Sequence, residues 1–218
     1  MSCGSRIERR IRKAGFALIA GTDEVGRGSL AGPVVAAAVI FGPRGVPRGI
    51  DDSKKLTRLK REELAGRICR RALAYAIARV EHDAIDQVNI HRASLFAMES
   101  AVKALQPQPD YVLIDGRYQL PQIDCPQEAV IKGDSTSVSI AAASILAKVS
   151  RDLWMREYDR EYPGYGFGSH CGYNTKEHQE AITSLGPCAI HRVTFQGVLS
   201  FQPSLFQRGA GGVLFPEE

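Results

Sequence analysis

With 218 residues, 44% of them hydrophobic and 24% charged, the chain suits one domain with a real core, which excludes a disordered or fibrous protein. The net charge of +4 is unevenly placed: residues 1–80 carry 17 Lys+Arg against 7 Asp+Glu, and residues 81–218 carry 11 against 17. A basic front half offers phosphate-binding surface and acids elsewhere can hold cations, although most such charges, Arg9, Arg10, Arg12 and Lys13 among them, ordinarily coat solvated helix faces.

Charged residues at helical spacing predict a short helix over 6–13. Residues 17–22 are apolar and read as a buried strand ending at Asp23. A glycine turn follows (Gly26, Gly28, Gly32, then Pro33), and Val34–Phe41 reads as a second strand, so the pair makes a hairpin-like antiparallel unit. Residues 42–52 form a loop. Thr57 can cap a helix running to about Arg71, with Leu59, Leu64 and Ile68 along its apolar face. A third strand is expected over 74–80 and helix over most of 83–106, ended by Pro107 and Pro109. Residues 111–114 form a short strand that delivers Asp115, and 129–131 another. One long Ala-rich helix spans about 137–158, a Gly-rich loop 163–172, and a further helix 174–185. There are no internal repeats. Strands first, then helices alternating with strands, predict one α/β domain over residues 1–200: a mixed sheet with helices over it and a helical C-terminal part from about residue 153. Residues 201–218 read as a mobile tail.

The cysteines, Cys3, Cys69, Cys125, Cys171 and Cys188, are odd in number and form no CxxC pair, so neither a disulfide framework nor a structural zinc site is expected, as in the reducing cytosol. Residues 15–21 follow basic residues but are too short for a signal peptide, and Val34–Phe41 is too short to cross a bilayer. A cytoplasmic monomer is the expectation.

The segment 21–28, Gly-Thr-Asp-Glu-Val-Gly-Arg-Gly, is the most informative. Two adjacent acids at the end of a hydrophobic strand are costly unless a cation neutralises them. Strand neighbours point to opposite faces, so Asp23 and Glu24 are expected to share a site through a break in the strand, which the glycines allow. Asp115 stands at another strand end before Gly116, and Asp134 follows Gly133 just ahead of the long helix. Taken singly, each reads more readily as a turn or capping acid. Four in this arrangement point instead to an oxygen-only site for Mg²⁺ or Mn²⁺ that could seat two ions and hydrolyse a phosphodiester. Competing phosphate motifs fail: Arg27 and Gly28 stand where a P-loop needs Lys and Ser/Thr, and Gly32 falls one place late for a dinucleotide fingerprint.

These motifs, in order, resemble ribonuclease HII. The matching residues are Asp23-Glu-Val-Gly-Arg-Gly28, Asp52-Ser-Lys-Lys55, Asp115-Gly116, Lys132-Gly-Asp134, Ala142-Ala-Ser-Ile-Leu-Ala-Lys148, Arg151-Asp152, Gly172-Tyr-Asn-Thr175 and the stretch 186–192. The resemblance runs from about residue 15 to 195. It implies a ribonuclease H-like fold with a five-stranded mixed sheet and flanking helices. It also implies cleavage of the RNA strand of RNA–DNA hybrids, and of duplex DNA 5′ to a single ribonucleotide, leaving 3′-hydroxyl and 5′-phosphate ends. Asp23, Glu24, Asp115 and Asp134 fall on the family's four metal-binding acids.

By the same resemblance Gly26, Arg27 and Gly28 read the 2′-hydroxyl, largely through backbone groups. The chemistry agrees, since glycine lets the backbone approach a sugar and the 2′-OH separates RNA from DNA. Tyr173 matches a tyrosine that packs on the neighbouring deoxyribose, and Lys54 a phosphate-contacting lysine flanked by Ser53 and Lys55. Lys148 and Arg151, one turn apart, are expected to face the site or the nucleic-acid backbone. His170, His178 and His191 are not paired at zinc-site spacing and read as structural. Val25 and Ser29 depart from the family's usual Ala and Pro. Ribonuclease HIII usually carries an added N-terminal domain, and only about twenty residues precede Asp23 here.

From Gln202 to Phe206, Gln-Pro-Ser-Leu-Phe resembles the short peptide by which bacterial proteins dock on the DNA sliding clamp, with Pro203 in place of the usual Leu; tucking onto the domain's own surface is the plainer expectation. Two other functions fit the same residues less well. A DNA nuclease or resolvase of this fold would not need the ribose-reading turn, and a non-catalytic binding module would not need all four acids.

Overall fold

Eight consecutive buried residues, Val34–Phe41, frame the molecule, because a run with no polar alternation belongs to a strand covered on both faces. In the computed structural model, which describes residues 4–42 and 45–200, this strand (β2) is second in a five-stranded sheet. The others are β1 (Ile19–Val25), β3 (Ala72–Val80), β4 (Tyr111–Asp115) and β5 (Gln127–Val130), in the order β3-β2-β1-β4-β5. The first three strands pair antiparallel, whereas β4 runs parallel to β1 and β5 parallel to β4.

The two faces of β2 divide the core by parity. Val34, Ala36, Ala38 and Ile40 pack against Ala97 and Ala101 of helix α4 (Ile90–Lys103), beside α3 (His82–Val88). Val35, Ala37, Val39 and Phe41 meet Leu64 and Ile68 of α2 (Arg58–Arg71) and Ala142 and Ala143 of α5 (Val138–Glu161). Helix α5 starts at Ser137, whose side chain accepts the Ile140 N–H. It crosses β1 so closely that a Cβ on Gly21 would stand 2.3 Å from the Ile140 nitrogen. Glu8 of α1 (Arg6–Lys13), almost fully buried, seals this helix start by accepting from the Ser139 N–H and from the hydroxyls of Ser137 and Ser139. The front helix is thus more than a solvated coat.

Beyond α5 the chain forms α6 (Phe167–His170), α7 (Lys176–Leu185) and α8 (Gln196–Leu199); α6 and α7 gather with Ala31, Met155 and Ile190 around a smaller core, and Val198 of α8 packs with Ile182 and Leu30. This is the expected helical C-terminal part, although α6 inside the Gly-rich loop and α8 were not foreseen. Three further expectations need correcting. Strand β1 does not stop at Asp23 but runs through Glu24 to Val25, paired throughout with β2. The helix expected over 83–106 is broken at Asn89, which takes a positive φ of 72° and caps α4 by accepting from the His91 and Arg92 N–H groups, and α4 ends at Lys103. Leu59 is 79% exposed because it lies five residues before Leu64, roughly 140° around the helix from the buried stripe.

Among the described residues no helix is long and apolar enough to cross a membrane, and Cys69, Cys125, Cys171 and Cys188 are free thiols. The segment from Gln202 to Phe206 and the tail 201–218 lie outside the described residues.

Candidate active site

The four acids meet without any break in β1. In the parallel register Thr22 stands opposite Ile114, which puts Asp23 level with Asp115 at the point where β4 ends. Alternation then sends the neighbours apart. Asp23, on the face of Gly21, meets Ser144 of α5, whereas Glu24 lines a cleft of about 290 Å³ with Arg27, Leu95, Met98, Asp115 and Gly116. The charge of Asp115 reaches both acids and is itself felt beside Asp134. The end of β4 is therefore the hub, and the route to it is a strand that outruns its neighbour.

Burial with too few partners sets the electrostatics. Burial first, then Glu24 and Asp115, raise the Asp23 pKa well above the usual carboxylate value. Glu24 is raised by burial and Asp115 although Arg27, 3.2 Å away, opposes them. Asp115 is raised by burial and Asp134, against the N–H groups of Gly133 and Asp134, which donate to its Oδ1 at 2.6 and 3.4 Å. Asp134, in the short 3-10 turn Gly133–Ser135, accepts from Lys54 Nζ at 3.1 Å. Each acid is thus held by a local donor, and among the described residues no three Asp, Glu, His or Cys side chains form a ready-made ion cage. Glu24 Oε2 nevertheless is buried with no hydrogen-bond partner among the described residues. An orphaned carboxylate oxygen amid acids whose charge is disfavoured fits a hard divalent cation, and an all-oxygen set fits Mg²⁺ or Mn²⁺.

The turn after β1 is held from behind by two buried arginines. Arg151 donates from Nε to the Pro33 carbonyl, from Nη2 to Ala31 and from Nη1 to Cys171, at 2.9 to 3.1 Å. Arg192 donates twice to Gly32 and once to Arg27, at 2.8 to 3.1 Å. Burial lowers the pKa of both, Arg192 to about 9. Arg151 is therefore a brace; the expectation that it faces the site or the nucleic-acid backbone is corrected, because its side chain is fully buried. Gly26, at φ +94°, has Arg151 Nε 2.3 Å from where a Cβ would sit, so the fold itself requires glycine there. Gly28 has nothing among the described residues within 4 Å of that position.

Tyr173 is brought beside this turn by a β-bridge to Ser29 and by the Leu30 N–H, which donates to the Gly172 carbonyl at 2.8 Å. The half-buried Tyr173 ring lies 5.5 Å from Lys148 Nζ and 5.4 Å from the Arg151 guanidinium. Lys54 is 81% exposed at its side chain, whereas its neighbour Ser53 is buried, its hydroxyl 3.0 Å from that of Ser144. Ser53 is thus set apart from the other candidate substrate residues. Lys55 reaches Asp51 at 3.6 Å, and Lys148 donates to Asp152 at 2.7 Å. Sequence reasoning assigned no role to Arg192, Arg61 or Ser144. Arg61 braces the Lys54 turn by donating to the carbonyls of Ser53 and Leu56 at 3.1 and 2.6 Å. Only Arg192 and Ser144 lay inside motifs that offered a signal.

The ribonuclease HII family profile matches residues 20–198. The chain belongs to the ribonuclease HII family. It is a metal-dependent ribonuclease H, an endonuclease that hydrolyses phosphodiester bonds. Ribonuclease HII of Geobacter metallireducens is 54% identical over 192 residues, covering 88% of this chain and 89% of that one. Ribonuclease HII of Archaeoglobus fulgidus, solved in complex with PCNA, superposes with a TM-score of 0.70 at 25% identity over 82% of this chain and 95% of its own. A Bst ribonuclease HIII in complex with Mn²⁺ superposes at 0.65 with 20% identity, over 86% and 70%. The five-stranded mixed sheet with flanking helices is the ribonuclease H-like fold.

Proposed function

We propose that this ribonuclease HII cuts the RNA strand of RNA–DNA hybrids, and duplex DNA on the 5′ side of a single embedded ribonucleotide, leaving 3′-hydroxyl and 5′-phosphate ends. Asp23, Glu24, Asp115 and Asp134 would hold Mn²⁺ or Mg²⁺. Two such ions, when bound, activate a water and stabilise the leaving oxygen of the phosphodiester. The orphaned Glu24 Oε2 beside Asp115 carries this reading, since a buried carboxylate oxygen lining a cleft is ordinarily satisfied by a partner.

The remaining steps belong to the chain itself. The open backbone at Gly28, with Gly26 and Arg27, meets the 2′-hydroxyl, where a Cβ would intrude between protein and sugar. Tyr173 packs on the deoxyribose next to the junction. Lys54, largely exposed beside Asp134, would neutralise a phosphate, while the N–H groups of Gly133 and Asp134 keep Asp115 aimed. Ser53 holds the Lys54 turn from inside through Ser144.

The enzyme then serves, as a cytoplasmic monomer, to remove ribonucleotides during DNA replication and repair. The PCNA-bound Archaeoglobus fulgidus relative supports a docking role for the peptide from Gln202 to Phe206; deleting residues 201–218 should abolish capture by the sliding clamp, and unchanged capture excludes it. The activity is tested with a DNA duplex carrying one ribonucleotide and its all-DNA twin, each with and without added Mn²⁺. Cleavage only of the first, and only with metal, is expected. Cutting of the all-DNA twin would favour a general DNA nuclease.

A further inference from the structure

Beneath Tyr173 lies a stack of three histidines sealed from solvent. His170, His178 and His191 are 8%, 0% and 1% exposed. Ring centroids are 4.5 Å apart between His170 and His178 and 5.3 Å between His178 and His191, with Phe167 edge-on to the first two. Burial drives His178 and His191 down to about 4, so near pH 7 both rings are neutral. A neutral imidazole has one donor nitrogen and one acceptor.

The protons can be placed from both ends. The Cys188 N–H donates to His191 Nδ1 at 2.9 Å, which makes that nitrogen the acceptor and puts the proton on Nε2. The nearby Cys188 carbonyl, 3.2 Å away, then has no proton to accept from it. At the other end the Tyr173 carbonyl oxygen lies 2.9 Å from His178 Nδ1. Oxygen there can only accept, so Nδ1 carries the proton and Nε2 is bare. The two rings meet at 3.1 Å through the nitrogens these assignments leave over, His191 Nε2–H donating to His178 Nε2. The opposite tautomers would set lone pair against lone pair at Tyr173 and proton against proton at Cys188. The chain is therefore directional, from the Cys188 amide through both rings to the Tyr173 carbonyl. His170 stands apart, accepting from the Gly172 N–H at 3.1 Å and donating to the Tyr165 carbonyl at 2.7 Å.

We propose that His178 and His191 are positioning residues for Tyr173: a tautomer-locked relay that grips its backbone carbonyl and so fixes the ring beside the ribose-sensing turn. The carbonyl takes its second hydrogen bond from the Thr175 N–H at 2.8 Å, which leaves the peptide plane after Tyr173 set by these two donors. The Ser29 bridge holds the other side of the residue. This assignment rests on the reading of Tyr173 as a contact to the deoxyribose at an RNA–DNA junction. It predicts that the relay matters most for a substrate with one junction to sense, and less for a uniform hybrid.

The test uses the full chain with His178→Leu, which removes the donor but keeps apolar bulk, and His178→Asn, whose amide N–H can replace Nδ1–H. His178→Gln, His191→Leu and Tyr173→Ala complete the set, and melting curves check the fold. Cleavage of a one-ribonucleotide duplex is compared with cleavage of a uniform RNA–DNA hybrid. His178→Leu and His191→Leu should lower the ratio of the two on the order of fivefold, the equivalent of one neutral hydrogen bond. His178→Asn should keep most of that ratio, and Tyr173→Ala should lower it furthest. A Tyr173→Ala enzyme with an unchanged ratio would sink the reading of Tyr173 and the relay with it. If Tyr173→Ala lowers the ratio while both leucine variants, and His178→Gln, leave it at the wild-type value, the histidines only pack the core and the proposal is overturned. Should the leucine variants fail to fold, the comparison of His178→Asn with His178→Gln, which cannot present a donor at the Nδ1 position, decides the matter by the same ratio.

Discussion

Two groups of buried charge sit within a few residues of each other, and they are treated in opposite ways. Arg151 and Arg192 spend all six of their guanidinium nitrogens on backbone carbonyls of the segments that carry the glycine turn and Tyr173. The acids are left short. Asp23, Glu24 and Asp115 all have raised pKa values, and one oxygen of Glu24 has no partner. A hydrogen bond to a charged group is worth about 1.5–3 kcal/mol, and a buried charge without one costs at least as much. The arginine region therefore contributes rigidity and needs nothing from outside. The acidic region is incomplete by itself, which is the electrostatic state expected of the proposed cation site.

Substitutions that neutralise one side or the other sharpen this contrast. Asp134→Asn should reduce cleavage of the one-ribonucleotide duplex on the order of 10²–10³-fold or more while duplex binding survives, as read by single-turnover rates beside fluorescence anisotropy. Loss of binding in a folded variant would contradict the division between acids and contact residues. Arg151→Met should remove about 3–5 kcal/mol from the unfolding free energy in a denaturant titration, because it strands three buried carbonyls. A variant as stable as the parent would erase the contrast.

Adding Mn²⁺ at about 100 times its dissociation constant should raise stability at pH 7 by about 2.7 kcal/mol, seen as an upward shift in melting temperature. The sign with pH follows from the raised carboxylate values. Above the unfolded range the burial of these charges, with their mutual repulsion, lowers the stability of the metal-free protein; as pH falls through their folded values towards the unfolded ones they take up protons and the penalty fades. Protons then compete with the ion, so the metal-induced shift should shrink from pH 7 towards pH 5. A shift that grows over that range would mean the ion binds elsewhere. The smallest effect on folding is expected at Gly28→Ala, within about 1 kcal/mol of the parent by melting, since no atom lies in the way. The same variant should still cut the one-ribonucleotide duplex markedly more slowly than the parent, and equal rates would remove Gly28 from ribose recognition.

Much of the frame was legible because patterns of burial and capping are local. The eight-residue run of β2, the Thr57 cap, the long helix from about residue 137 and the strand that ends at Asp115 all announce themselves within short windows of sequence. The acids were legible as a set from their places at strand and helix ends, but their meeting was misread as a strand break. That error is physical: alternation within β1 was weighed, while the register against β4, set by non-local packing, was invisible. Arg151 was misassigned for a similar reason. A cation one turn from Lys148 looks like part of a binding face, and only the folded loop 26–33, together with Cys171, supplies the carbonyls that draw it inside. The histidine relay joins α7 to the 186–192 stretch, two segments whose spacing carries no motif.

Arg192 holds the carbonyls of Arg27 and Gly32 across about 160 residues of chain. During synthesis all four acids leave the ribosome well before this residue does. A polypeptide halted at residue 190 would own all four acids yet lack one of the two clamps on the turn from Gly26 to Gly32. The order of translation thus delivers the acids first and the second clamp on that turn only near the end of the region that matches the family.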